Sequence, residues 1–104
     1  MKNNYRYGRK KEKLVAQQLE KFGAQVILSL GSRGPADITA KFSNKKWKIQ
    51  VKSTRGGNPN LPSKEELRRL KISAAKSKAV PVIAYVEGNK VIYQSVKTGR
   101  ELKP

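Results

Sequence analysis

Asp37 is the only aspartate among 104 residues. A Gln-x-Lys pair, Gln50 and Lys52, follows on the next predicted strand. Side chains alternate between the two faces of a strand, so Gln50 and Lys52 project to one side and Ile49 and Val51 to the other. A hard divalent cation takes oxygen ligands. Asp37 offers a carboxylate, Gln50 its amide oxygen and Val51 its backbone carbonyl. Glu12 could complete or orient that shell, directly or through water. Such a cation activates water and neutralises charge on a phosphate. Lys52 could orient the water or stabilise the transition state electrostatically. Together these groups suit metal-assisted hydrolysis of a phosphodiester. The chemistry needs no histidine, and the chain has none. It also lacks cysteine, which removes the usual zinc ligands and any disulfide framework.

The elements that must position these residues follow from periodicity. From about Gly8 to Phe22 the pattern is helical, with Val15, Leu19 and Phe22 on one stripe. Glu12 lies on the same stripe. A carboxylate on a core-facing stripe is costly unless paired or metal-bound, so its alternatives are a salt bridge to a nearby lysine or a place in the site. Gly23 predicts the helix stop. Ala24 to Leu30 reads as a first strand. The loop Gly31-Ser32-Arg33-Gly34-Pro35 leads into Asp37 and brings Ser32 and Arg33 near the acid. Ala36 to Phe42 and Trp47 to Ser53 form a predicted hairpin, with Lys48, Gln50 and Lys52 on one face of the second strand.

Thr54 to Pro62 is rich in glycine, proline and asparagine and predicts an irregular loop at the mouth of the site. Ser63 to about Ala79 predicts a second helix. Ser63 and Glu66 fit a capping box, which makes Glu66 structural. Leu67, Leu70 and Ala74 give it a narrow apolar stripe. Val80 to Val86 reads as a buried strand, although Pro81 argues against a central ladder position. Gly88-Asn89 predicts a tight turn into Lys90 to Val96. Residues 1–7 are expected to be a flexible basic arm and 97–104 a polar, basic tail. The whole is a single domain of mixed α/β class.

Charge points to the partner. Lys and Arg number 24 against 7 acids, a formal net charge of +17. A compact chain of this charge repels itself, and a polyanion relieves that repulsion. Nucleic acid is the leading partner, since phosphate contacts release condensed counterions. Arg6, Arg9, Lys10, Arg33, Lys48, Ser53 and Arg55 are the candidate contacts. No apolar run reaches the roughly 20 residues of a membrane span. The N-terminus lacks the apolar core of a secretory signal. The expected location is the cytoplasm, on the nucleoid.

At Gly8-x-x-x-Glu12, Ser32-x-Gly34, Asp37-Ile38 and Gln50-Val51-Lys52-Ser53 the sequence resembles the PD-(D/E)XK nuclease superfamily. It is most similar there to archaeal-type Holliday-junction resolvases. The resemblance covers about Tyr7 to Val86. It implies a restriction-endonuclease-like αβββαβ core, with a central mixed sheet flanked by helices. It also implies a homodimeric endonuclease dependent on Mg²⁺ (or Mn²⁺) that binds branched DNA and cuts two strands symmetrically. By position, Glu12 is the helix-borne acid, Asp37 the main metal ligand, Lys52 the catalytic lysine and Ser32 a loop serine near the scissile phosphate.

One departure stands out. The resolvase pattern has glutamate where this chain has Gln50, whereas Mrr-like restriction enzymes of similar fold carry Gln-x-Lys. Other readings are a catalytically silent DNA-binding module of this fold, a nuclease for duplex or flap DNA, and an RNA-binding protein suggested by charge alone. Glutamine removes one negative charge from the proposed metal shell. Restoring it with Gln50→Glu is expected to lower the metal concentration needed for half-maximal cleavage, measured by metal titration. Unchanged or weaker metal dependence would remove Gln50 from the ligand set.

Overall fold

The computed structural model describes residues 2–28, 36–55, 58–59 and 61–104; for 2–10, 54–55 and 58–59 only the backbone is described. Helix α1 runs Lys2–Lys21. It therefore takes in the stretch expected to be a flexible arm. No proline interrupts Lys2 to Tyr7, and an interior glycine such as Gly8 costs only about 1 kcal/mol relative to alanine. Val15, Ala16 and Leu19 are buried on its inner stripe. Phe22, expected to extend that stripe, is 60% exposed because the helix has already ended. Gly23 takes φ +90°, and the Ala24 N–H returns to the Leu19 carbonyl at 3.1 Å.

The strands are β1 Gln25–Leu28, β2 Ile38–Lys41, β3 Lys46–Arg55, β4 Asn58–Pro59, β5 Val80–Glu87, β6 Lys90–Ser95 and β7 Glu101–Leu102. They form one sheet in the order β1-β2-β3-β5-β6-β7, with β4 paired to β3. Every pairing is antiparallel except β3 with β5, which is parallel. Helix α2, Lys64–Lys76, makes the crossover between those two strands. Two strands lie where irregular chain was expected. β4 turns the start of the Thr54 to Pro62 loop into a short hairpin, and β7 adds part of the predicted tail to the β6 edge. Gly99, at φ +74°, lies in the turn between β6 and β7. Pro81 is buried in β5 but precedes the first β5–β6 pair, Val82 with Ser95, so its missing N–H interrupts no rung of that ladder.

The two helices cover opposite faces. On the α1 face, Val15 and Leu19 pack with Ile38, Ala40, Trp47, Ile49, Val82 and Ala84. The Trp47 ring lies edge-on to Phe42 at 5.1 Å and tilted against Tyr93 at 5.6 Å. On the α2 face, Leu70 packs with Ala36 and Ile83 in a smaller cluster flanked by Leu67, Tyr85 and Val96. Alternation along β3 thus gives Ile49 to the α1 core and leaves Gln50 and Lys52 on the α2 side, beside Ile83 and Tyr85.

Ile49 is fully buried at the middle of the larger core. Ile49→Ala is expected to cost about 2–5 kcal/mol through lost burial and the cavity left behind. A urea titration should show this as a lower midpoint at an unchanged slope.

Candidate active site

Asp37 stands where the β2–β3 ladder runs out. The last regular pair is Ile38 with Ile49. One residue earlier, the Asp37 N–H donates to the Ile49 carbonyl at 2.8 Å. The Asp37 side chain then takes over as acceptor: the Val51 N–H donates to Oδ2 at 2.9 Å. A buried strand N–H needs a partner, and here it finds a carboxylate. The aspartate is locked at the sheet end by two residues of β3, one on either side of Gln50.

Lys52 follows on β3, on the same face as Gln50. Its ammonium donates to Oε2 of Glu66 at 2.8 Å, and its side chain is only 13% exposed. Glu66 belongs to the first turn of α2 and also closes the predicted capping box. Its Oε1 accepts the Ser63 N–H at 2.9 Å, and its own N–H donates to Ser63 Oγ at 3.1 Å. The cap reading of Glu66 is correct and incomplete: one oxygen serves the helix and the other the lysine. No sequence signal placed Glu66 beside Lys52, because the crossover brings them together across the loop between β3 and α2.

The two carboxylates near Lys52 are shifted in opposite directions. Burial pushes Asp37 above the ordinary carboxylate value, against the lowering effects of the Val51 N–H and the Lys52 charge; the Glu66 charge adds to the rise. The Lys52 hydrogen bond, followed by the Ser63 N–H, holds Glu66 below the usual range. Ionising one acid carries a desolvation cost, whereas the other is stabilised in its ionised form.

The remaining candidates are distributed as follows. Glu12 is half-buried on α1, one turn before Val15 on the inner stripe, in the layer opposite the Lys52 face. Lys48 shares the face of Gln50 and Lys52 and donates to Thr39 Oγ1 at 2.9 Å. Ser53 is half-buried on β3. Arg6, Arg9 and Lys10 lie in α1 and Arg55 ends β3, with side chains outside the description; Ser32 and Arg33 lie outside the described residues. The structure thus brings together Asp37, the Val51 backbone, Lys52 and Glu66, with Gln50 between them in the strand.

Among the described residues, no group of three or more His, Cys, Asp or Glu side chains could hold a metal ion. That excludes a closed protein cage there. The donors present, one desolvated carboxylate and an amide oxygen, are hard oxygens. They fit Mg²⁺, which keeps several waters and is commonly shared between one or two carboxylates and a substrate phosphate.

The opposite shifts give opposite pH dependences in metal-free protein. A raised native pKa means that the folded state binds the proton more tightly, so ionising Asp37 opposes folding once pH rises above the ordinary carboxylate value. Asp37→Asn keeps an oxygen for the Val51 N–H and is expected to raise Tm at neutral pH, a gain that vanishes on acidification. Glu66 has the reverse sign: its contribution is present above its unfolded pKa and lost as pH falls through the depressed native one. Glu66→Gln should therefore lower Tm at neutral pH and converge with the parent in acid. Thermal unfolding in chelator across the carboxylate range tests both signs.

Among curated proteins there is no match. The fold is similar to the 1.6 Å structure of Hjc, a Holliday junction resolvase from the archaeal hyperthermophile Archaeoglobus fulgidus. The TM-score is 0.75 at 23% identity, covering 88% of this chain and 74% of that one. The sequence itself matches the family described as archaeal Holliday junction resolvase (hjc) over residues 3–100. That match takes in nearly all of α1, the crossover helix and the sheet from β1 to β6, and so the chain belongs to the archaeal Holliday junction resolvase family.

Proposed function

We infer that this protein is a structure-selective DNA endonuclease that resolves four-way junctions in recombination and repair. The observation that carries the reading is Asp37, fixed by the Val51 N–H beside the enclosed ammonium of Lys52, within a family match that spans the site. The charge of +17 supplies the affinity for DNA. On α2, Lys64, Arg68, Arg69, Lys71 and Lys76 are exposed on the same side of the sheet as Lys52. Their phosphate contacts position the DNA without reading its sequence, as selection by branch shape requires.

Asp37 and Gln50 would hold a divalent cation, Mg²⁺ or Mn²⁺, with the Val51 carbonyl as a further ligand. When bound, the metal supplies an activated water and charge neutralisation at the phosphate. The chain's own residues do the rest. Desolvation of Asp37 sharpens its attraction for a cation, because a buried charge gains more from a counter-charge than a solvated one. Lys52 has three N–H donors, of which Glu66 engages one. The others can reach the scissile phosphate as negative charge builds on it. Ser32, Arg33, Arg6, Arg9, Lys10, Lys48, Ser53 and Arg55 are proposed DNA contacts. Two symmetric cuts call for two sites related by a twofold axis, hence a homodimer.

The test is cleavage of an end-labelled four-way junction in Mg²⁺ or Mn²⁺, beside a linear duplex and a flap. Paired nicks placed symmetrically about the branch are expected. Asp37→Asn should slow them about a hundredfold or more, as for loss of an electrostatic group at a reacting centre, while still retarding the junction in a gel. Cutting of flap or duplex alone would change the substrate. Junction binding without cutting by either protein would leave a binding module.

A further inference from the structure

We propose that Glu66 is a positioning residue for Lys52, so that the N-terminal cap of α2 doubles as the clamp on the catalytic lysine. The inference rests on the resolvase reading of the site. The geometry carries it. Lys52 Nζ and Glu66 Oε2 are 2.8 Å apart, with the lysine side chain 13% and the glutamate side chain 39% exposed. Lysine is a flexible four-carbon stem carrying a compact charge. Left alone on a strand it would sample many rotamers. A catalytic group gains from being ordered before the substrate arrives.

Glu66 is well placed to impose that order because it is itself held. Its Oε1 is tied to the backbone N–H of Ser63 at 2.9 Å, a bond that does not need the serine hydroxyl. The second oxygen is thereby aimed back at the sheet. The neighbour of Lys52 on its own strand face, Gln50, carries no charge that could do the same. Asp37, at the end of the β2–β3 ladder, is committed to the Val51 N–H. The carboxylate that engages the lysine comes from the crossover helix.

Two substitutions separate the roles. Glutamine also closes a capping box at this helix position, so Glu66→Gln keeps the cap and removes the charge facing Lys52. Ser63→Ala removes the hydroxyl of the cap and leaves the Lys52 partner. The first readout is the Lys52 side-chain ammonium resonance in ¹⁵N NMR, recorded without metal or DNA. A resonance protected from solvent exchange is expected in the parent and in Ser63→Ala, and lost in Glu66→Gln. The second is single-turnover junction cleavage at saturating protein. Glu66→Gln should slow the chemical step about ten- to a hundredfold, the scale of a misplaced catalytic group, with junction Kd unchanged. Ser63→Ala should lower Tm yet cut at the parental rate.

Equal slowing by both variants would overturn the assignment in favour of a purely structural cap. So would a Glu66→Gln protein that cuts normally. So would one that keeps the Lys52 resonance while binding Mn²⁺ more weakly, which would move the carboxylate to the metal. Failure of the parent protein to cut junctions would sink the resolvase reading instead, and the resonance would still decide the pairing.

Discussion

The site depends on a carboxylate taking the place of a strand. Where β2 stops pairing with β3, the Val51 N–H would face the sheet end without a backbone acceptor, and Asp37 Oδ2 fills that position. One bond satisfies a donor, ends the ladder and fixes an acid one strand away from Lys52. The carboxylate is desolvated in the process, which raises its pKa. A buried acid of this kind is unfavourable for the isolated fold and useful to a cation-binding one. Such trade-offs concentrate at functional sites.

Around that bond the molecule separates its tasks by layer. The α1 face holds the larger core, with Trp47, Ile49 and Val82 under Val15 and Leu19. The α2 face is thinner, and polar side chains share it with a small apolar cluster. β3 serves both layers through the alternation of its side chains. Excess cationic charge lies outside both. Of the seven acids, Glu65, Glu66 and Glu101 are engaged in ion pairs and Asp37 is half-buried at the sheet end. The positive field is therefore left largely uncompensated, as suits a polyanionic ligand.

Much of this was legible in the sequence. The period-2 pattern of β3 placed Gln50 and Lys52 on one face and Ile49 in the core. Ser63 and Glu66 announced the α2 cap, and Gly88-Asn89 the β5–β6 turn. The resemblance through Asp37 and Gln50-Val51-Lys52 pointed to the family that the match over residues 3–100 bears out. Other features were hidden for physical reasons. Helix propensity near the N-terminus carries no strong stop signal, so the start of α1 was set too late. Two-residue strands such as β4 and β7 have no periodicity to read. Phe22 fits the helical stripe by spacing but falls past the helix end, where spacing no longer fixes direction. The pairing of Glu66 with Lys52 depends on a crossover whose path no local pattern encodes.

The single parallel ladder has a consequence for how the chain folds. β1-β2-β3 and β5-β6-β7 are antiparallel runs between sequence neighbours. The β3–β5 seam joins residues as distant as Trp47 and Val80 and must wait for the intervening segment to loop back. Asp37 and Lys52 belong to the first run, and Glu66 to the segment that closes the seam. The two halves can thus gain structure early and locally, whereas the arrangement about Lys52 is completed only when they join. Its formation reports on the joining of the two halves.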